Sequence, residues 1–177
     1  MDLLLDEQPV EKDVRYAGFW IRVVAIIIDS IVLFIVGLLL KFIISGHVLS
    51  QIIGVLIGLL YFVLMETSEK QGTLGKMILN IKVTNLNFEK ISYSEAIVRY
   101  IIKNLGGYIV TVGTLTAGGA ELLSGDYSDI LSLYQNILPF TSIGGLVSII
   151  VYVSVAFHNK KQGIHDRIAK TYVIEGN

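Results

Sequence analysis

The chain has 177 residues, of which 53% are hydrophobic and 16% charged, and its formal net charge is −1. Soluble domains carry about 25% charged residues, so this composition indicates a protein embedded in a membrane. The near-neutral net charge argues against a nucleic-acid partner, because proteins that bind nucleic acids need a basic surface. The chain contains no cysteine, which excludes disulfides, thiolate nucleophiles and cysteine-ligated metal sites.

The apolar segments predict an all-α integral membrane protein with about four transmembrane helices in a bundle. A helix needs about 20 mostly apolar residues to cross the hydrocarbon core of a bilayer. Three segments are clearly apolar, at about 19–44, 48–65 and 137–157, and a weaker, glycine-rich segment lies at about 105–120. The acidic N-terminal segment lacks the basic start of a signal peptide, so the first span should remain in the protein. We predict a single domain over residues 1–177.

The positions of lysine and arginine predict that both termini are cytoplasmic. With four spans, ten of the basic residues in the connecting segments lie on the cytoplasmic side, and the opposite side holds only Lys41. Three spans would place the basic C-terminal segment outside the cell. The pattern is therefore that of a multi-pass protein with four spans and both ends in the cytoplasm.

The segment before the third span predicts an amphipathic helix at about 92–105. Ser92 and Glu95 form a capping-box pattern, which satisfies the free N–H groups of a helix start. Glu95, Arg99 and Lys103 follow at four-residue spacing on one face, as expected of a helix lying at the membrane interface. The alternative is a single tilted span over 92–120 whose polar stripe faces the other helices.

The loop between the second and third spans predicts a small cytoplasmic β-hairpin. Two segments rich in β-branched residues, 78–84 and 88–91, flank the turn residues 85–87, and 171–174 could add a strand. An ordered loop is the alternative. A second feature is an internal echo, in which Lys70-Gln71-Gly72 after one span resembles Lys161-Gln162-Gly163 after another, as in proteins built from two repeated halves. Chance convergence of two basic loops is the other explanation.

Two charged residues interrupt the first span. Asp29 lies at its midpoint, where an ionised carboxylate costs about 2.5–3.5 kcal/mol unless it is paired, protonated or facing water. Arg22 lies about 10 Å away along the helix, so each residue needs a separate partner. Arg22 can reach the lipid headgroups or Asp166, whereas Asp29 is a candidate proton or cation site. A hydrogen bond or ion pair that clamps the helices together is the alternative for Asp29.

Two cytoplasmic loops contain further candidate residues. Gly72 and Gly75 predict a tight turn at the membrane edge, with Lys76 near anionic headgroups. The spacing of His158, His165 and Asp166 matches no metal motif, so these are expected to be solvated loop residues, and His165 and Arg167 belong to the second membrane-edge loop motif. No nucleophile–histidine–acid arrangement is recognisable from the spacing. We expect no enzymatic activity, no cofactor and no metal.

Three motifs together resemble the RDD family of membrane proteins. They are Arg22-x-x-Ala25-x-x-x-Asp29 in the first span, Gly72-x-x-Gly75-Lys76 after the second, and His165-Asp166 followed by Ala169-x-Thr171-x-Val173. The family takes its name from one arginine and two aspartates, which match Arg22, Asp29 and Asp166. The resemblance, from about Tyr16 to Ile174, implies location in a bacterial-type cell membrane and a proposed role in transport, linked in some members to sodium/proton exchange.

Three functions are consistent with these observations. The first is exchange of a monovalent cation for a proton, with Asp29 as the exchanging carboxylate and Arg22 and Asp166 as a nearby charge network. Because four helices are few to enclose a pathway, this function predicts a homo-oligomer. The second is a non-enzymatic accessory subunit that binds and regulates another membrane protein. The third is binding of anionic lipid by Lys76, Arg99 and Lys103.

Overall fold

The computed structural model describes residues 14–44, 47–117 and 130–176, and most of these residues are helical. The long helices are α1, α2 and α6, and α4 and α5 are separated only by Asn104. Short helices α3 and α7 each precede a strand. The bounds are α1 Phe19–Ile43, α2 His47–Thr67, α3 Leu74–Ile78, β1 Ile81–Asn85, α4 Tyr93–Lys103, α5 Leu105–Ala117, α6 Ile130–Val153, a 3₁₀ turn Ser154–Phe157, α7 Ile164–Ile168 and β2 Thr171–Glu175.

Two of the described helical segments are long and apolar enough to cross a membrane, Phe19–Leu40 and Tyr134–Phe157. They coincide with the first and last predicted spans. Two shorter apolar helices, Ile52–Thr67 and Leu105–Thr116, lie within or close to the other two predicted spans. The predicted span at 105–120 extends past Ala117, and its last three residues lie outside the described part of the chain.

Helix α4 begins with the predicted capping box. Ser92 Oγ accepts a hydrogen bond from the Glu95 backbone N–H, and the Glu95 carboxylate accepts one from the Ser92 N–H. The apolar side chains Ile97, Val98 and Ile101 point outward, whereas the basic side chains of this helix are buried. The polar stripe therefore faces the other helices, as the alternative interpretation held, and it does not face the membrane surface.

Helices α5 and α6 approach each other closely at glycines. A β-carbon on Gly106 would collide with the Gly144 carbonyl, and one on Gly113 would collide with the Phe140 ring. Small residues at such positions let apolar helices pack backbone against backbone, which is the usual way that helices associate in lipid. This contact joins the second half of the helical bundle.

The two strands form one antiparallel sheet in which Val83 pairs with Val173. The predicted hairpin between 78–84 and 88–91 is wrong, because β1 pairs instead with Thr171–Glu175, the segment predicted as an added strand. The Asn85 side chain accepts hydrogen bonds from the backbone N–H groups of Asn87 and Glu89, both at 2.9 Å. This local turn, with Phe88 at a φ of 62°, redirects the chain toward α4.

The sheet brings distant parts of the chain to the start of α1. The Ala17 N–H donates to the Val173 carbonyl at 2.9 Å, and the Glu175 N–H donates to the Arg15 carbonyl at 2.9 Å. The side chains of Ile81, Val83 and Val173 are fully buried against Ala17 and Ala25. The chain before α1, the loop after α2 and the C-terminal segment thus form one packed unit.

Two segments repeat the same local structure. Each has a residue with positive φ, a short helix, a second residue with positive φ and then a strand. The first segment has Gln71 (φ 53°), α3, Asn80 (φ 52°) and β1, and the second has Lys161 (φ 50°), α7, Lys170 (φ 55°) and β2. Equivalent positions in the two segments differ by 90 residues (71 and 161, 80 and 170). Aligning the two Lys-Gln-Gly motifs would instead give a difference that is larger by one residue. In this register Val83 faces its own equivalent, Val173, across the sheet.

Candidate functional site

Six charged side chains meet in the interior where the ends of α1 and α2 contact α3, α4 and α7. We call these residues the charge cluster. Each is at most 8% exposed, so water cannot screen them individually. The members are Arg22, Glu66, Lys76, Arg99, Lys103 and Asp166.

Asp166 is the central acceptor of the cluster. Its carboxylate lies 2.5 Å from Arg22 Nη1 and 2.9 Å from Arg99 Nη2, and it also accepts the Gly163 N–H at 3.1 Å. Burial acts to raise the pKa of Asp166, but the attraction of the two guanidinium groups outweighs it and holds the pKa far below its usual range. Asp166 is therefore an anion that joins α1, α4 and α7.

A second ion pair joins Lys76 and Glu66. Lys76 Nζ bonds to Glu66 Oε1, and Arg99 Nε lies 3.8 Å from Glu66 Oε2. Burial lowers the pKa of Lys76 to about 7; Glu66 opposes this shift, and nearby Arg99 and Lys103 add to it. The lowered pKa makes Lys76 easier to deprotonate than an exposed lysine. In the structural repeat it occupies the position equivalent to Asp166, since 76 and 166 differ by 90.

Asp29 lies beside the cluster and has a different set of partners. Its Oδ1 accepts hydrogen bonds from the Tyr61 hydroxyl and the Gly75 N–H, both at 2.8 Å, and its Oδ2 accepts the Thr73 hydroxyl at 2.6 Å. Asp29 is 1% exposed. Three donors occupy most of the roughly four acceptor positions of a carboxylate, so the geometry is that of a clamp between α1, α2 and the start of α3.

The structure places the predicted site residues in two groups. It brings Arg22 and Asp166 together as an ion pair, while Asp29 contacts the loop after α2. Gly72 and Gly75 pack closely, Gly75 against the Ala25 carbonyl and the Asp29 side chain. Lys76 is buried against Glu66, so the predicted position near lipid headgroups is wrong. Arg167 is exposed and lies outside the cluster.

His165 and Asp166 are also buried, at 4% and 0% exposure, so their prediction as solvated loop residues is wrong. His165 Nε2 lies 3.3 Å from Asp166 Oδ1. No group of three histidine or acidic side chains that could hold a metal occurs in the described part of the chain. Burial lowers the pKa of His165 to about 3, partly offset by Asp166, and the surrounding cations lower it further.

This shift predicts acid sensitivity. Between pH 6.5 and pH 3 the unfolded chain binds a proton at His165 and the folded protein does not, so stability must fall as the pH falls. From pH 6.5 to pH 5 we expect a loss of about 2 kcal/mol, measured by thermal unfolding in detergent. His165→Gln should flatten this part of the profile and His158→Gln should not. An unchanged profile in His165→Gln would contradict the assignment.

Three residues that complete the site were not singled out from the sequence. These residues are Tyr61, Glu66 and Thr73. Each needs a partner that is close in space and distant in sequence. The sequence did contain one signal, because Glu66 is a carboxylate at the end of an apolar segment. A carboxylate buried there needs basic partners, and the basic stripe on α4 could supply them.

Comparisons with known proteins agree with the family resemblance of the sequence motifs. A family model described as the RDD family matches residues 16–170. The chain is 27% identical over 184 residues to the "Uncharacterized protein YxaI" of Bacillus subtilis, an alignment that covers 89% of this chain and 96% of that protein. It is 28% identical over 175 residues to the "Uncharacterized membrane protein YteJ" of the same organism, covering 90% and 80% respectively. No solved structure matches the chain.

Proposed function

Because the chain belongs to the RDD family of membrane proteins, we propose that it is a four-span protein that transports a small ion in exchange for protons. The observation that carries this proposal is the buried charge cluster. Ionisable groups are expensive in a membrane protein and are retained where ions or protons move. We propose no enzymatic activity for it.

The four-span topology places both termini and the charge cluster at the cytoplasmic face of a bacterial-type cell membrane. The chain has no cysteine, so single introduced cysteines report topology without background. Asn87→Cys should be protected from a membrane-impermeant thiol reagent in intact cells, and Ser124→Cys should react. The reverse pattern, or reaction of both, would contradict the topology.

Lys76 is the residue that we propose to exchange the proton. It is paired with Glu66, and burial lowers its pKa to about 7, so a small change in local potential can move its proton near neutral pH. An ion that enters or leaves the cluster changes that potential directly. Ion binding and proton release are then linked, which is the requirement for coupled exchange.

Asp29 was the carboxylate predicted to exchange a cation for a proton. A cation at Asp29 would have to displace the donors from Tyr61, Thr73 and Gly75, which hold α3 in place. We therefore propose that Asp29 positions Lys76, which follows Gly75 directly, and that proton exchange takes place in the cluster. The competing form of the proposal is that the cation–proton exchange takes place at Asp29. Variants of Lys76 and Asp29 distinguish the two forms.

The test is proton flux in liposomes that contain the purified protein and a pH-sensitive dye, driven by gradients of different ions. Lys76→Gln removes the ion-pair partner of Glu66 but leaves Arg99 3.8 Å from that carboxylate, so folded protein of reduced stability should remain and should lose flux. The matched control is Lys90→Gln, at a surface ion pair with Glu69. Asp29→Asn should lower thermal stability as well as flux, whereas exchange at Asp29 predicts a stable, inactive variant. Normal flux in folded Lys76→Gln would refute the role of Lys76.

The alternative is an accessory subunit that binds and regulates another membrane protein. The second half of α1 exposes large apolar side chains, including Phe34 (65% exposed) and Phe42 (90%), which lipid, a second copy or another protein could cover. Transport by so few helices favours a homo-oligomer. A heterologous partner at fixed stoichiometry in native membranes, together with absence of flux from the purified protein, would favour the accessory role.

A further inference from the structure

The charge cluster surrounds a cavity between α1, α4 and α7. The cavity has about 30 Å³ in which the centre of a water molecule can move, and the lining includes Arg22, Lys76, Arg99, Lys103 and His165. Among the residues that the structure describes, no carboxylate lines this cavity. The other lining residues are mostly apolar, such as Phe19 and Val155, so the polar groups in the cavity are the basic side chains and the rings of Tyr152 and His165. A cavity of this size holds a few water-sized atoms, because one water needs about 10–15 Å³ by the same measure.

Arg99 has hydrogen-bonding capacity that the surrounding protein does not use. Its Nη2 forms an ion pair with Asp166 Oδ1 at 2.9 Å, and its Nε lies 3.8 Å from Glu66 Oε2, but Nε and Nη1 have no hydrogen-bond partner within the described residues, although Arg99 is 97% buried. Leaving buried donors of a charged group without a hydrogen-bond partner destabilises the folded protein. Buried polar atoms of this kind usually mark a place where a ligand or water completes the bonding.

Lys103 is also without a carboxylate partner. In the described structure its ammonium group forms no ion pair and lies over the Phe62 ring, 4.3 Å from the centroid, and 6.0 Å from the centroid of Tyr152. Burial lowers its pKa. The six charged members of the cluster comprise four cations and two carboxylates, so the protein groups alone leave an excess of positive charge in a buried site.

We propose that the cavity binds the phosphate group of a small anion or of a lipid headgroup, held by Arg99, Lys103 and Lys76. A phosphate supplies several acceptor oxygens and negative charge in one compact group, which matches two free guanidinium N–H donors beside two ammonium groups. The size of the cavity admits one such group and excludes a nucleotide base or a sugar. This inference rests on the proposed function only in that both involve the charge cluster.

A phosphate in this position would also change the protonation of Lys76. Its negative charge beside Lys76 favours the protonated ammonium form, so phosphate binding takes up a proton at Lys76 and phosphate release gives it back. This linkage is opposite to the one that exchange requires, so the phosphate is a bound group that holds Lys76 protonated and is not the ion that is exchanged. Equilibrium binding can be measured without any flux, so failure of transport and failure of the binding site are distinguishable.

The experiment measures thermal stability of the full-length protein in detergent while inorganic phosphate is added, with sodium chloride at equal ionic strength as the control. A second arm uses nanodiscs in which phosphatidic acid replaces part of the phosphatidylcholine. We expect Tm to rise by roughly 5 °C at about 100 times the Kd. Lys103→Met is the decisive variant, because it preserves volume and removes a buried cation that has no ion-pair partner.

Lys103→Met should keep or raise the Tm measured without ligand and weaken phosphate binding by about tenfold or more. If Lys103 had only a structural role, Lys103→Met would instead lower the Tm measured without ligand. Lys90→Met is the surface control and should respond to phosphate like the unmodified protein. A response only to phosphatidic acid supports a lipid source for the same group. Lack of response to both ligands beyond sodium chloride, or a normal response in Lys103→Met, would overturn the proposal.

Discussion

Asp166→Asn is expected to destabilise the folded protein by about 3–5 kcal/mol, the typical loss when one partner of a buried ion pair is removed. The variant leaves Arg22 and Arg99 buried without the carboxylate that both contact. An asparagine can accept hydrogen bonds from these groups, but it carries no charge to offset theirs. For a protein with typical marginal stability this loss is a large fraction of the total. Thermal unfolding and the yield of monodisperse protein in detergent measure the effect.

The matched control is Glu69→Gln, which breaks an exposed ion pair with Lys90 at 2.7 Å. Exposed pairs contribute little, so this variant should unfold at nearly the same temperature as the unmodified protein. A second variant, Asp166→Asn with Arg22→Met, should recover part of the lost stability because it removes one of the two uncompensated cations. If Asp166→Asn unfolds at the same temperature as the unmodified protein, the central role of Asp166 is wrong.

The sequence predicted features that depend on local chemistry. The first and last long apolar segments, the capping box at Ser92 and the turn at Asn85 follow from runs of residues and short spacings, and the described structure contains all of them. The family resemblance rested on Arg22, Asp29 and Asp166 in the right order along the chain. The resemblance identified the family correctly. In the structure these three residues hold together elements that are separated in sequence.

The direction of the charged stripe on α4 could not be predicted from its spacing. In a soluble protein or at a water interface, Arg99 and Lys103 would face outward and the apolar residues inward. In this structure the apolar side chains face outward and the charges face inward, because the two carboxylates that Arg99 contacts, Glu66 and Asp166, lie on α2 and α7. The same spacing fits both arrangements, and only the position of the distant carboxylates decides between them.

The strand pairing was mispredicted for a similar reason. The predicted hairpin paired neighbours in sequence, whereas β1 pairs with a strand about 90 residues later. The repeat of Gln71 to Asn85 in Lys161 to Glu175 explains this pairing, because equivalent strands face each other. The repeated Lys-Gln-Gly motifs identified the right segments but aligned them with an error of one residue. The residues with positive φ, Gln71 and Lys161, define the correct alignment, and their residue types do not reveal that conformation.

Gly75→Ala is expected to have a large effect from the addition of one carbon atom. The β-carbon would collide with the Ala25 carbonyl of α1 and would also crowd the carboxyl carbon of Asp29, at 3.1 Å. Backbone atoms on both sides of the contact cannot move independently, so α3 must shift away from α1. The shift would break the hydrogen bond from the Gly75 N–H to Asp29. We expect a loss of about 3 kcal/mol, the upper part of the range for overpacked sites.

Gly54→Ala is the control, because Gly54 lies in helix α2 with open space where a β-carbon would be. Alanine favours a helix over glycine by about 0.5–1 kcal/mol, so this variant should unfold at the same or a slightly higher temperature. Equal stability of Gly75→Ala and Gly54→Ala would show that α3 does not pack against α1 as described. The expected difference matters for function as well as stability, because α3 carries Lys76. A displaced α3 moves that ammonium group out of reach of Glu66, so Gly75→Ala should lose proton flux even where enough folded protein remains to be measured.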